Sequence, residues 1–178
     1  MAVLAGPFIA TTLLLAAGGA LKVVRPADTA RALRQVGIPA SPTIVRIGAA
    51  AELAVATAAV VDGSPPFAAL VAASYLAFAG FVLVALRRHL PLSSCGCFGA
   101  QETPPTAVHV AVNLAAAAIA AAVALGLGGD GAGLAAVTTA TDTSIVLRAT
   151  FALSTLTATW LAYVALTDLP KTLRSTPR

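Results

Sequence analysis

Few residues in this chain could do chemistry, and the clearest are its two cysteines. Both fall in one tripeptide, within Ser93-Ser94-Cys95-Gly96-Cys97-Phe98-Gly99. Cysteines two apart can bring their Cα atoms into disulfide range, and Gly96 permits the tight backbone this needs. A ring so small is strained, and strained disulfides are the reducible, exchange-active ones. The pattern points to thiol–disulfide exchange, in which one cysteine attacks and the other resolves the mixed disulfide. By analogy with other thiol motifs the attacking residue is Cys95. Two structural alternatives stay open: a pair of ordinary thiols, or a metal clamp. The only histidines, His89 and His109, flank the pair as His-x5-Cys-x-Cys-x11-His. Two thiolates and two imidazoles would suit zinc or a soft metal ion, although the spacing matches no standard zinc module. His109 can equally hydrogen-bond at a helix start, or face Asn113 one turn on.

Glu52 is the third candidate, because it lies near the middle of an apolar run. An acid at bilayer depth costs about 2.5–3.5 kcal/mol on insertion scales, so this carboxyl is expected to face protein or to be protonated. In a functional role it would relay protons to a thiol or bind a quinone carbonyl. In a structural role it would bond a neighbouring helix or pair with a base such as Arg46 or Arg148. Asn113 has a similar structural reading, an interhelical hydrogen bond.

The elements that must position these residues are set by composition. Of the 178 residues, 58% are apolar and only 10% are charged, and the mean hydropathy is +0.91. A soluble domain carries about a quarter charged residues, so a soluble enzyme, a disordered tail and a nucleic-acid module are excluded. Five apolar stretches have the length of membrane spans: residues 3–24, 43–61, 67–86, 107–127 and 145–166. The start of the last is the least sharply marked. The N-terminus lacks the positive region of a secretory signal, so the first run reads as a retained helix. Lys22 and Arg25 end that run, where they can snorkel to the interface.

Between the first two spans, Asp28 or Thr29 can cap a short helix that Gly37 and Pro39 stop. It carries Leu33 and Val36 on one face and Arg31 and Arg34 on the other, as a helix lying along the membrane surface does. Residues 62–66 make a tight turn, and a polar loop over residues 87–106 carries the cysteines. Ala69, Ala73 and Ala77 recur every fourth position in the third span, and Ala111 and Ala115 do so in the fourth. Such spacing allows close helix packing in a compact bundle, without specifying a dimer.

Ten of the eleven basic residues fall on one side of this layout; Arg148 alone joins Asp62, Asp130 and Asp142 on the other. The net charge of +4 therefore reads as membrane anchoring rather than nucleic-acid binding. The positive-inside rule puts the N-terminus outside and the cysteine loop and C-terminus in the cytoplasm. Disulfide chemistry argues the other way, because cytosolic thiol pools keep such pairs reduced.

The Cys95-Gly96-Cys97-Phe98-Gly99 loop between a third and a fourth span resembles the MauE family of membrane proteins, from methylamine utilisation, within the wider DoxX-like superfamily. Lys22, Pro26, the short amphipathic segment, Gly37-Ile38-Pro39 and a second span holding Arg46 and Glu52 agree with that layout. The likeness covers residues 1–128. It implies an all-α membrane protein: a four-helix DoxX-like transmembrane core with the cysteine motif at 95–99. Residues 129–178 would add a Gly/Thr-rich loop, a fifth transmembrane helix and a basic tail. It further implies thiol redox chemistry in the cell membrane with a thioredoxin-like partner, or help in maturing a disulfide-bearing client, and an outward-facing loop.

A single cysteine pair cannot relay electrons between thiols across the bilayer. The chain therefore needs a quinone-like acceptor, or it serves as a docking accessory and is no enzyme by itself. Two rival classes remain: a metal-handling membrane protein using Cys95, Cys97, His89 and His109, and a non-catalytic assembly subunit of a larger membrane complex.

Overall fold

A computed structural model of the chain describes residues 4–90, 105–127, 132–135 and 145–167. Six helices account for nearly all of them: α1 (Ala5–Val24), α2 (Pro26–Val36), α3 (Pro42–Val61), α4 (Pro65–Arg87), α5 (Ala107–Ala124) and α6 (Ile145–Thr167). No strand occurs among the described residues. α1, α3, α4 and α5 are long and apolar enough to cross a membrane, so the chain is an all-α, multi-pass membrane protein. The last expected apolar run forms a helix, α6, whose 23 residues extend about 35 Å.

Local chemistry explains the helix ends. Proline stands in the first turn of α2, α3 and α4, where the missing N–H costs nothing and the fixed φ suits a helix. Ser41 also caps α3, its Oγ accepting from the Ile44 N–H at 3.2 Å. α2 stops at Gly37, whose φ of 96° is the left-handed conformation that glycine adopts freely. The Ile38 N–H then closes the end onto the Leu33 carbonyl at 2.9 Å.

α1 packs on α3, and α4 packs along its length on α5. α6 lies mainly against α1, where Gly6 leaves room for the Phe151 ring. The core is built largely from alanine (Ala56, Ala59, Ala68, Ala72, Ala116, Ala120) around Phe8, Leu15, Val71 and Tyr75. Small side chains bring backbones close, which is how helices gain packing energy where lipid supplies no hydrophobic drive. Large exposed side chains such as Ile44, Ile47, Leu70, Leu76, Leu114 and Trp160 face outward, as a lipid-facing surface requires.

The alanines that recur every fourth position do not make the packing faces. Ala69, Ala73 and Ala77 lie on the exposed side of α4, and Ala111 and Ala115 on that of α5; the packing face of α4 uses Ala68, Ala72, Tyr75 and Ala79. An outer surface bathed in lipid is as apolar as the interior, so composition does not separate the two faces.

The short helix α2 buries Ala30, Ala32 and Val36, and Arg31 stands exposed beside Asp28. Three arginines of this end fasten backbone carbonyls: Arg46 Nε to Val23 O at 3.1 Å, Arg34 Nη1 to Ala40 O at 2.7 Å and Arg88 Nη1 to Val36 O at 3.0 Å. At the opposite end, the 62–64 turn seats against residues 132–133. A Cβ placed on Gly63, which has φ of 65°, would collide with the backbone N of Gly133. Gly48, in contrast, has open space where its Cβ would be.

These contacts set an expected outcome. Gly133→Val should lower thermal stability in detergent, by about 1–3 kcal/mol for overpacking against immovable backbone. Gly48→Ala should leave it unchanged or raise it by about 0.5–1 kcal/mol, since a mid-helix glycine only adds entropy to the unfolded chain. Thermal melts followed by circular dichroism rank the two.

Candidate functional site

The charged centre of the bundle is a pair that spans two helices. Lys22 Nζ donates to Glu52 Oε2 at 2.6 Å and to Oε1 at 2.8 Å, and the side chains are only 5% and 12% exposed. Side chains on a helix lean toward its N-terminus. Since α1 and α3 run antiparallel, the Lys22 and Glu52 side chains lean toward each other. Gly19 makes the approach possible: a Cβ there would meet Ala49 O at 3.2 Å and Leu53 N at 3.3 Å. Lys22 Nζ also lies 4.3 Å from the centre of the Phe78 ring, a cation–π contact supplied by α4. Tyr75 meets Phe78 edge-on at 6.2 Å, and its hydroxyl donates to the Thr11 carbonyl at 2.6 Å.

Lys22 was expected to snorkel to the interface. It turns inward instead, because a buried carboxylate within reach offers two charge-assisted hydrogen bonds that headgroups would have to match. Glu52 does face protein, with Lys22 as its partner rather than Arg46, whose Nε is spent on the Val23 carbonyl. The side chain of Arg148 lies outside the described residues.

Two cavities share Glu52 and Phe78. One, of about 190 Å³, lies inside the bundle and is lined by Thr11, Glu52, Tyr75, Phe78, His109 and Asn113 among apolar neighbours. The other, of about 500 Å³, lies between α2, α3 and α4 and also reaches Lys22, Glu52 and Phe78. Glu52 and Phe78 therefore form the wall between an interior chamber and a groove.

His109, in the first turn of α5, is buried to 1% exposure. Its Nδ1 accepts from the Thr106 backbone N–H at 3.3 Å and lies 2.8 Å from the Thr106 hydroxyl. An N–H can only donate, so Nδ1 carries the lone pair and the imidazole proton sits on Nε2. The ring thus does the work that Glu or Gln does in an ordinary capping box. Asn113 donates to the His109 carbonyl at 2.7 Å, a bond within α5 rather than the interhelical one expected. His89 stands in an exposed turn after α4, with φ of 50°. Among the described residues no group of three or more His, Cys, Asp or Glu could hold a metal ion. Cys95 and Cys97 lie outside the described residues; the described chain flanking them ends at Leu90 and resumes at Pro105, next to the ends of α4 and α5.

The model of one protein family, methylamine utilisation protein MauE, matches residues 1–126. The chain belongs to the MauE family. The match takes in α1 to α5, and with them the Lys22–Glu52 pair, both cavities and the cysteine motif. No curated protein and no solved structure matches the chain. As a MauE-family chain, it is a membrane protein of the methylamine-utilisation type.

Sequence reasoning singled out Glu52, His109 and Asn113, and all three line the interior chamber. It missed Lys22, Tyr75 and Phe78. The available signal was a lysine two residues from the end of an apolar span facing a second span with one acid, and such a pair satisfies both groups at depth.

Removing one member of a buried pair strands the other. Lys22→Met and Glu52→Leu should therefore each destabilise the protein by about 3–5 kcal/mol, while the double variant should lose much less than their sum. Thermal denaturation of the three variants in detergent closes this cycle. Additive losses would show that the two side chains do not act as a pair.

Proposed function

We propose that this MauE-family chain is a thiol–disulfide redox protein of the cell membrane. It exchanges electrons with a thioredoxin-like partner, or assists disulfide maturation of a client protein, through Cys95 and Cys97. The observation that carries this reading is the Cys-Gly-Cys tripeptide, which holds the chain's only cysteines, in the segment joining α4 to α5. Exchange through it balances without a further reagent. A partner dithiol attacks the Cys95–Cys97 disulfide, the partner leaves as a disulfide, and the pair is left as two thiols. Tight packing of α4 on α5 supports the reading, because it gives the segment two anchors with little relative freedom. Glu52 is the candidate proton relay within the bundle, and Lys22 holds its carboxylate in place.

Thiol trapping with a mass-shifting maleimide tests the proposal. Air-oxidised protein should take up no reagent, and reduced protein should take up two. Full labelling of both thiols without reductant, under conditions that oxidise other exposed dithiols, would overturn it. Cys97→Ser should accumulate a mixed disulfide with the partner through Cys95, visible as a reductant-sensitive band.

Sidedness is a separate expectation. Charge bias assigns the cysteine loop to the cytoplasm, so a membrane-impermeant maleimide applied to reduced intact cells should leave Cys95 and Cys97 unmodified. Labelling from outside would reverse that orientation and move the exchange to the side where secreted disulfides form.

A further inference from the structure

We infer that the groove between α2, α3 and α4 binds a lipid-soluble quinone, with its ring against Phe78 and a carbonyl on Lys22. α3 and α4 are consecutive and share a tight turn, yet they meet only lightly, whereas α4 and α5 pack closely. The space left between them is the cavity of about 500 Å³, within the range that takes a drug-sized ligand. A second opening of about 420 Å³, bordered by Gly48, Ala51, Val55, Leu70 and Ala73, adjoins it and shares Glu52 and Phe78. Leu70 and Ala73 lie on the outer, lipid-facing surface, so a ligand can enter from the bilayer without crossing water. Gly48 of α3 and Gly80 of α4 both line the groove, and beyond their own helices no atom lies within 4 Å of where their Cβ atoms would be.

The chemistry of the inner end selects the occupant. Apart from the Lys22–Glu52 pair, the lining is almost wholly apolar. That pair is neutral overall, so it offers no net attraction to a fatty-acid carboxylate or a lipid phosphate, and Glu52 repels both. A neutral head with hydrogen-bond acceptors is what remains. The Lys22 ammonium supplies three N–H donors, of which the Glu52 oxygens take two. Phe78 and Phe81 give a flat ring aromatic surfaces to lie against. A quinone meets each of these terms, and its isoprenoid tail would leave through the lateral opening.

The redox role of this ligand rests on the thiol reading, which leaves a single cysteine pair without an onward acceptor. The Cys95/Cys97 dithiol gives up two electrons and two protons to become a disulfide. The quinone takes both to become the quinol.

Binding is tested on the full chain in phosphatidylcholine nanodiscs with decylubiquinone, measured by equilibrium binding, and with an azido derivative for photolabelling. Saturable binding is expected, with photolabel on peptides from α2, α3 and α4. Gly48→Phe and Gly80→Phe put a ring into the groove from positions where an added Cβ meets nothing within 4 Å, and each should weaken binding at least tenfold with an unchanged or raised melting temperature. Absence of saturable binding would overturn the inference. So would photolabel confined to α5 or α6, undiminished binding in both filled variants, or displacement by palmitate as effective as by unlabelled decylubiquinone. The Cys95→Ser/Cys97→Ser protein should bind as wild type does. Failure of the thiol proposal would therefore leave the binding result standing, and failure of binding would leave the maleimide result standing.

Discussion

The bundle depends on one interaction, the salt bridge between Lys22 and Glu52. Each charge alone would be expensive at that depth, and together they hold α1 and α3 at the spacing that Gly19 permits. The pair also fixes what surrounds it. Lys22 lies over Phe78 and so draws α4 to the same point, while Tyr75, one turn from Phe78, ties α4 to the Thr11 carbonyl of α1. Three of the four spans long enough to cross a membrane thus meet at one polar centre, and α5 completes the ring through its packing on α4. In an alanine-rich core with little shape to distinguish one register from another, such a centre provides the specificity that packing alone lacks.

Hydropathy made the span positions legible, because a membrane rewards long apolar runs and prolines mark where helices begin. Each expected span lies within a few residues of its helix, and α2 ends at Gly37 as its sequence indicates. Which side of each span faces inward was not legible. Ala69, Ala73 and Ala77 have the spacing of a packing ridge and yet lie outside, because an Ala-rich helix shows that spacing on every face. Lys22 misled for a related reason: snorkelling is the default for a lysine near a span end, and it gives way only where a distant acid comes within reach. His109 looked like a ligand or an interfacial donor, and its role as a helix cap depends on Thr106 three residues earlier, a pairing known mostly with Glu or Gln.

The basic residues at the α2 end do two jobs. Arg34, Arg46 and Arg88 satisfy carbonyls at the ends of helices and connections, where backbone acceptors lack partners. Their positions are therefore demanded by the fold as well as by membrane orientation. A count of positive charge treats all ten residues alike, so it overstates the share that responds to the membrane alone. Arg25, Arg31 and Arg87, with the tail residues Lys171, Arg174 and Arg178, make the cleaner part of that signal.

The packing is uneven in a way that suits two tasks at one end of the molecule. α4 and α5 are held together along their length, and the cysteine segment connects them there, between an arginine-pinned helix end and a capped helix start. On its other side α4 barely meets α3, and the gap exposes Glu52 and Phe78 to a space continuous with the lipid-facing surface. The same two residues line the interior chamber, which His109 and Asn113 border from the α5 side. Glu52 and Phe78 thus stand between that chamber and the groove. Glu52, whose carboxylate the ion pair holds, therefore borders both the chamber that the α5 start lines and the groove that opens toward lipid.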